Sequence, residues 1–349
     1  MSIKVLVVDD SPLIRGVLTE ILNAAPDIKV VGTAEDAHDA RDKIKSLNPD
    51  VLTLDIEMPG MNGISFLKNL MRLRPMPVVM VSTLTAEGAP ATLKALEYGA
   101  VDYLAKPKVD VANALNHYKD ELHEKVRVAA SARVRAKTEK AISANVSHLI
   151  KLDSLTYLPN HVITIGASTG GTEAIKEVVK LLPTNCPPVV VTQHIPAAFS
   201  TSFAARLNEN AKVTVHEATH GQKLVKGNVY IAPGDDHLTI SRTIDGYICR
   251  LDKDAPVNRH RPAVDKLFDS VAVATKGRAT GVLLTGMGAD GAKGLLNLKN
   301  AGCHTIAQDE ATSVVWGMPG AAVELNAAAQ VLALQDITAC MLKAASKAR

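Results

Sequence analysis

The 349 residues include 47% hydrophobic side chains, 21% charged ones and a net charge of +3, a balance that suits two soluble globular domains. No apolar run approaches the ~18 residues of a membrane span, so direct membrane insertion is not expected. Residues 117–155 hold eight Lys/Arg and five Asp/Glu, which accounts for the whole excess; the rest sums to zero, which argues against a nucleic-acid-binding face. The start, MSIKVLVVDD, lacks the basic opening and long apolar middle of a signal peptide. Four widely spaced cysteines with no C-x-x-C read as free thiols of a reducing, cytoplasmic compartment.

In chain order, the first 116 or so residues alternate strand-like runs (IKVLVVD, IKVVGTA, DVLTLD, PVVMVS, VDYLA) with helical stretches of roughly ten to fifteen residues. That alternation implies a parallel sheet covered by helices on both faces. Ser11-Pro12 has the form of a helix N-cap followed by proline at the first helical position. A charged segment without glycine or proline, about 116–155, reads as a helix grading into a linker. A second series then begins: HVITIGAS, PPVVVTQH, VTVHEA, NVYIAP, HLTISR, YICRL, TGVLLTG and HTIAQD. Its close-spaced middle predicts that a β-hairpin joins an otherwise parallel sheet. The expected domains are 1–120, a linker over 121–157, and 158–349.

In the first domain, Asp9 and Asp10 end the first strand, Asp55 the third and Ser82 the fourth, while Lys106 follows the fifth, before Pro107. The carboxyl ends of parallel strands gather on one edge, where ligands bind. Three carboxylates there repel one another unless a cation such as Mg²⁺ lies between them. A lysine and a hydroxyl beside that ion suit the oxygens of a phosphoryl group, and one carboxylate is placed to accept phosphate. Singly, each of these residues reads as a solvated loop acid or surface lysine; their recurrence at successive strand ends is what carries the chemistry. The motifs VVDDS, LDIEMPGMNG, MVST and AKP resemble the receiver domain of bacterial response regulators. The resemblance implies a flavodoxin-like, five-stranded parallel fold. It makes Asp55 the phosphoacceptor, with Asp9, Asp10 and the Glu57 backbone carbonyl on Mg²⁺. Ser82 and Lys106 become the switch and phosphate-contacting residues.

The second domain opens on VITIGASTGGTEAI. A dinucleotide fingerprint needs glycine where Ser168 stands, and a P-loop needs lysine where Thr172 stands. Gly166-x-Ser168-x-Gly170 instead places a serine on a sharp strand-to-helix turn, as a nucleophile elbow does. Such turns are common and usually inert, so the reading needs a base and an acid at the same sheet edge. His194, at the end of the next strand, is the candidate base. His237, after the PGDD turn, is its best rival, and His260 lies in the loop NRHRP. Asp290, in the glycine-rich loop TGMGADG, is the candidate acid, with Asp235 and Asp236 as rivals in a hairpin-like turn. An Asp-Gly pair is by default a turn or cap.

GASTGG, QHIP, YIAPGDDH, PVNRHRP, LLTGMGADG and AQDEATSVVWGMP resemble the catalytic domain of the chemotaxis protein-glutamate methylesterases, the CheB family. That resemblance implies a doubly wound, mostly parallel α/β domain with Ser168 as nucleophile, His194 as general base and Asp290 as its orienting partner. The backbone amide of Thr169 would help hold the oxyanion. The implied reactions are hydrolysis of glutamyl methyl esters and deamidation of glutamines, with no catalytic metal. The implied partners are methyl-accepting chemoreceptors as substrate and the chemotaxis histidine kinase as phosphodonor. Arg259 and Arg261 read either as contacts to an acidic receptor surface or as structural ion pairs. Two other classes remain: a response regulator whose output domain only binds proteins, and a DNA-binding regulator. The second predicts a basic helix-turn-helix domain that the sequence does not show.

Overall fold

The computed structural model describes residues 2–83, 85, 87–106, 112–134 and 155–347, with side chains along 112–131 described from residue 118. Pro107, His148, the side chain of His117 and the remainder of the expected linker, 135–154, lie outside the described residues. The chain forms two compact units that divide near residue 138.

The first unit is a five-stranded sheet built from β1 (Ile3–Val8), β2 (Ile28–Ala34), β3 (Val51–Asp55), β4 (Val78–Ser82) and β5 (Asp102–Ala105). All neighbours are parallel and the order is β2-β1-β3-β4-β5, the flavodoxin-like winding. β3 and β4 are buried at every residue, which is why they read as unbroken apolar runs rather than alternating ones. The helices are α1 (Pro12–Asn23), α2 (Ala37–Leu47), α3 (Gly63–Leu73), α4 (Ala89–Glu97) and α5 (Ala112–Ser131). Side-chain caps fix where the first three begin: Ser11 accepts from the Ile14 N–H, Asp36 from those of His38 and Asp39, and Asn62 from that of Ser65. Each cap lies just beyond a strand or its loop, so the strand-end acids face one common edge.

The segment expected as a linker from residue 121 begins inside α5. That helix continues to Ser131 and buries Leu122, Val126 and Ala129. His123 Nε2 lies 2.7 Å from the Ile21 carbonyl, and Arg127 grips Asp27 through two bonds of 2.7 Å.

The second unit is a seven-stranded sheet in the order β14-β13-β12-β6-β7-β9-β8. Its strands are β6 (Val162–Ala167), β7 (Val189–Gln193), β8 (Thr214–Glu217), β9 (Asn228–Ile231), β12 (Ala279–Leu283), β13 (His304–Gln308) and β14 (Gln330–Leu332). Every pairing is parallel. The helices are α6 (Gly171–Val179), α7 (Ala197–Glu209), α8 (Val264–Thr275), α9 (Ala292–Asn300), α10 (Met318–Glu324) and α11 (Leu334–Ala344).

The hairpin of β10 (His237–Thr243) and β11 (Gly246–Asp252) exists but does not join this sheet. Its apolar residues Leu238, Ile240, Tyr247 and Cys249 belong to one core with Leu267, Phe268 and Val271 of α8. The other edge of β11 is taken by the crossover from β8 to β9: Gly221 donates to the Cys249 carbonyl at 2.8 Å and Leu224 to that of Tyr247 at 2.9 Å. With both of its own edges paired, β11 has no free ladder to offer the main sheet.

Candidate active site and phosphoacceptor site

Winding in the second unit reverses at β6: β7 lies on one side of it and β12 on the other. In open parallel sheets such a switch point leaves a crevice beyond the carboxyl ends of the strands. Ser168 follows β6, His194 follows β7, and Asp290 sits in the loop after β12, so three separate connections converge there.

The serine turn is held from both neighbours. Ser168 donates its N–H to the Thr285 carbonyl at 3.0 Å, and its own carbonyl accepts from Gly171 N–H at 2.7 Å and Gln193 Nε2 at 2.9 Å. Gly170, at the N-cap of α6, has φ of 75°, a left-handed conformation that turns strand into helix. Gly286 leaves room for the serine, since a Cβ there would stand 2.8 Å from Ser168 Cβ.

His194 lies between the other two residues. Its Nδ1 is 3.0 Å from Ser168 Oγ and its Nε2 is 2.8 Å from Asp290 Oδ2. A carboxylate beside Nε2 puts the ring proton there and leaves the Nδ1 lone pair facing the serine hydroxyl. Asp290 is 2% exposed. Its Oδ2 also accepts the Val264 N–H at 2.7 Å, and its Oδ1 accepts Asn258 Nδ2 at 2.8 Å and the Asp265 N–H at 3.1 Å. Val264 and Asp265 open α8, so the carboxylate sits at a helix N-terminus. Burial pushes the Asp290 carboxyl up; the His194 contact, the Val264 amide and Asn258 outweigh it and hold the group at about 2. Asp290 is therefore an anion near neutral pH, and the helix start it caps is that of α8.

The rivals are placed elsewhere. His237 is fully buried; its Nδ1 accepts the Ala263 N–H at 3.2 Å and its Nε2 lies 3.1 Å from the Ala255 carbonyl, which uses both nitrogens. Asp235 is exposed and paired with Arg261, whose Nη1 also reaches the Lys253 and Asp254 carbonyls at 3.1 and 3.0 Å. Arg261 is thus a structural ion pair, while Arg259 stays exposed. Thr169 is buried directly after Ser168.

Sequence reasoning missed Asn258 as a second-acid bridge: its Nδ2 also donates to Asp265 Oδ2 at 2.8 Å. Burial, with nearby Asp290, pushes Asp265 up, while the Gly294 N–H and Asn258 act against that. It also missed His260 as a ring stacked on His194, centroids 3.6 Å apart at 15°. Both lie in PVNRHRP, whose composition announces a loop and nothing more.

In the first unit, Asp9 and Asp55 are fully buried and Asp10 is exposed. Lys106 Nζ lies 2.8 Å from Asp55 Oδ2 and 3.3 Å from Asp9 Oδ2. Burial lowers the pull of Lys106 on its proton, but the two carboxylates outweigh it and raise its pKa. Burial pushes Asp55 to about 6; Lys106 works against that rise and Asp9 adds to it. The Glu57 N–H donates to Asp55 Oδ1 at 3.2 Å. Ser82 Oγ donates to the Thr83 carbonyl and accepts from Thr92 Oγ1, both at 3.3 Å. One carboxylate oxygen from each of Asp9, Asp10 and Asp55 lies within 4.8 Å of the other two. Asp9 Oδ2 is buried with no hydrogen-bond partner, only the Lys106 ion pair. An all-oxygen acidic cup with an orphaned carboxylate oxygen fits a hard cation such as Mg²⁺.

Residues 163–341 match the family model of the CheB methylesterase, and residues 5–116 that of the response regulator receiver domain. The chain belongs to the CheB methylesterase family. A protein-glutamate methylesterase/protein-glutamine glutaminase of Saccharophagus degradans is 58% identical over 99% of both chains. One from Hydrogenovibrio crunogenus is 51% identical, covering 96% of this chain and 97% of its own. The crystal structure of the Thermotoga maritima CheB methylesterase catalytic domain is 40% identical with a TM-score of 0.52, covering 53% of this chain and 99% of that one. Among the described residues, no helix of this CheB-family chain is long and apolar enough to cross a membrane.

Proposed function

We propose that this chain is a phosphorylation-regulated serine hydrolase that demethylates glutamyl methyl esters, and deamidates glutamines, on methyl-accepting chemoreceptors in the cytoplasm. The observation that carries the reading is the unbroken relay from Ser168 through His194 to Asp290, at 3.0 and 2.8 Å. Residues to about 131 form the receiver and those from about 158 the catalytic domain.

Ser168 Oγ attacks the side-chain ester carbonyl while His194 Nδ1 takes its proton. The resulting imidazolium keeps its Nε2–H on Asp290, whose fixed negative charge stabilises it. Charge collects on the former carbonyl oxygen, where backbone N–H groups including that of Thr169 receive it; Thr169 follows the nucleophile at the turn into α6, where elbow-type sites place a donor. The tetrahedral species collapses, methoxide takes the proton from His194, and methanol leaves an acyl-serine. Water then attacks with His194 as base, and the proton returns to Ser168 Oγ as the glutamate carboxylate departs. With a glutamine side chain the leaving group is ammonia and the remaining steps are the same.

In the receiver, Asp55 takes the phosphoryl group from the chemotaxis histidine kinase. Asp9, Asp10, Asp55 and the Glu57 carbonyl would hold Mg²⁺, which when bound neutralises phosphoryl oxygens. Lys106 contacts the phosphate, and the Ser82 hydroxyl leaves its Thr83 and Thr92 partners to do the same. The test is methanol release from a methylated receptor with and without a small-molecule phosphodonor. Release that depends on Ser168 and rises with the phosphodonor supports the reading; no release from a folded chain refutes it.

A further inference from the structure

The loop between β11 and α8 is held far more firmly than a connection requires. His237 bridges its two ends, accepting from the Ala263 N–H at 3.2 Å and contacting the Ala255 carbonyl at 3.1 Å. At the tip, Val257 and His260 exchange backbone hydrogen bonds of 3.0 and 2.9 Å. The two residues between them, Asn258 and Arg259, have φ of 52° and 68°. This is a two-residue turn with both central residues left-handed, and neither is glycine. Such conformations are unfavourable for residues other than glycine and persist where the surroundings over-determine them.

The turn delivers two side chains to the hydrolytic centre. Asn258 Nδ2 donates at 2.8 Å to Asp290 Oδ1 and at 2.8 Å to Asp265 Oδ2, so it joins two buried acids that would otherwise face each other across the site. The His260 ring lies flat on His194, with centroids 3.6 Å apart. The hydrogen bonds of His194 to Ser168 and Asp290 both act at the edge of its ring. They fix its reach but resist tilting only weakly. A flat partner on the ring face opposes tilting and covers that face against water.

We propose that the turn Val257–His260 is a positioning device for hydrolysis, in which the His260 ring holds the His194 imidazole in line between Ser168 and Asp290 while Asn258 holds Asp290. The inference rests on Ser168 and His194 acting as nucleophile and base. Misplacement of a reacting group by about 1 Å costs up to ~100-fold. His260→Ala is therefore expected to slow the chemical step by roughly 10–100-fold, with binding little changed. His260→Phe keeps a flat ring and should stay within about 3-fold of the wild type.

The full chain is treated with a fluorophosphonate, and the Ser168 adduct is followed by mass spectrometry. The Oγ–P bond forms, the P–F bond breaks, fluoride leaves, and the serine proton passes through His194 to solvent. This reads nucleophile activation without a receptor. Slow labelling at saturating probe in His260→Ala, an unchanged half-saturation, near-normal labelling in His260→Phe and similar melting temperatures support the proposal. Wild-type labelling by His260→Ala overturns it, as does equal slowing in both variants. If His260→Ala does not fold, His260→Leu and His260→Phe give the same contrast, since both fill the space and only Phe presents a flat face. A wild-type chain that labels on Ser168 but releases no methanol removes the function proposed above and leaves this inference standing. A wild-type chain that does not label removes both.

Discussion

Asp55 and Asp290 are both buried aspartates at the carboxyl edge of a parallel sheet, yet their proton affinities move in opposite directions. Asp290 is held at about 2 against the penalty of burial, because four donors surround its two oxygens. Asp55 rises to about 6, because burial and the neighbouring Asp9 outweigh Lys106 and a single amide. The difference suits the tasks proposed for the two groups. As the orienting acid of the relay, Asp290 would remain an anion throughout the reaction, so its compensation is built in. As the proposed phosphoacceptor beside a cation, Asp55 would have part of its compensation left for ligands to supply.

The largest expected effect separates the two sites outright. Ser168→Ala and Asp290→Asn should each lower methanol release about a thousandfold or more, because relay members act as a unit. Asp55→Asn should leave the rate without phosphodonor within about twofold. A folded Ser168→Ala that keeps near-wild-type release would remove the serine from the mechanism. A phosphodonor tests the receiver next. Coupling between sites is typically about 1–3 kcal/mol, so activation of roughly 5–150-fold is expected in the wild type and none in Asp55→Asn. Equal activation of both would show that Asp55 is not the acceptor.

The pH dependence sharpens the contrast further. Asp55 is raised from 3.8 to about 6, so the folded receiver keeps a proton that the unfolded chain has lost. The sign is destabilising: the cost is absent below pH 3.8, grows as pH rises to about 6 and is complete above it. At ~1.4 kcal/mol per unit it reaches about 3 kcal/mol. Asp55→Asn should therefore stabilise the receiver at pH 7 but not at pH 3.5. Asp290 is lowered from 3.8 to about 2, so its contribution of about 2 kcal/mol is present above pH 3.8 and fades as pH falls to about 2. Hydrogen exchange of peptides from β3 and β12, in wild type against each Asn variant, reads the two units separately in one chain. Parallel pH trends in the two units would break the comparison.

How much of this was legible in the sequence depends on how the information is stored. Strand ends are legible because buried parallel strands are unbroken apolar runs, and the residue after such a run is at the sheet edge. That logic reaches Asp9, Asp55, Ser82, Lys106, Ser168, His194 and Asp290, each placed by the element before it. Asn258 and His260 are placed by a turn whose shape depends on His237, Arg261 and α8, which no local pattern encodes. The hairpin was visible as two strands, but its separation from the sheet depends on which segment takes the other edge of β11. Residues 221–224 do so without strand-like periodicity. β14 has three residues, none of them buried, and offers no run to read.

His237 gives the smallest effect and the clearest contrast with His194. Sequence left the two as rivals because each stands at one end of a strand-like run, His194 after PPVVVTQ and His237 after the PGDD turn. In the structure the ring nitrogens of His194 contact two side chains, whereas those of His237 contact two backbone groups, Ala263 N–H and Ala255 C=O. A base needs a lone pair facing the nucleophile, and both nitrogens of His237 are already committed to the loop. His237→Ala leaves the buried Ala263 N–H without its acceptor, which costs about 1–2 kcal/mol. It also loosens the loop that carries Asn258 and His260, so the rate should fall by no more than about tenfold. His194→Ala should lose about a thousandfold, with some loss of stability because buried Asp290 loses one of its four donors. Urea midpoints and methanol release on the two variants decide the matter. If folded His237→Ala were inactive while His194→Ala kept its rate, the base would be His237, and the edge-to-edge relay through Asp290 would have to be abandoned.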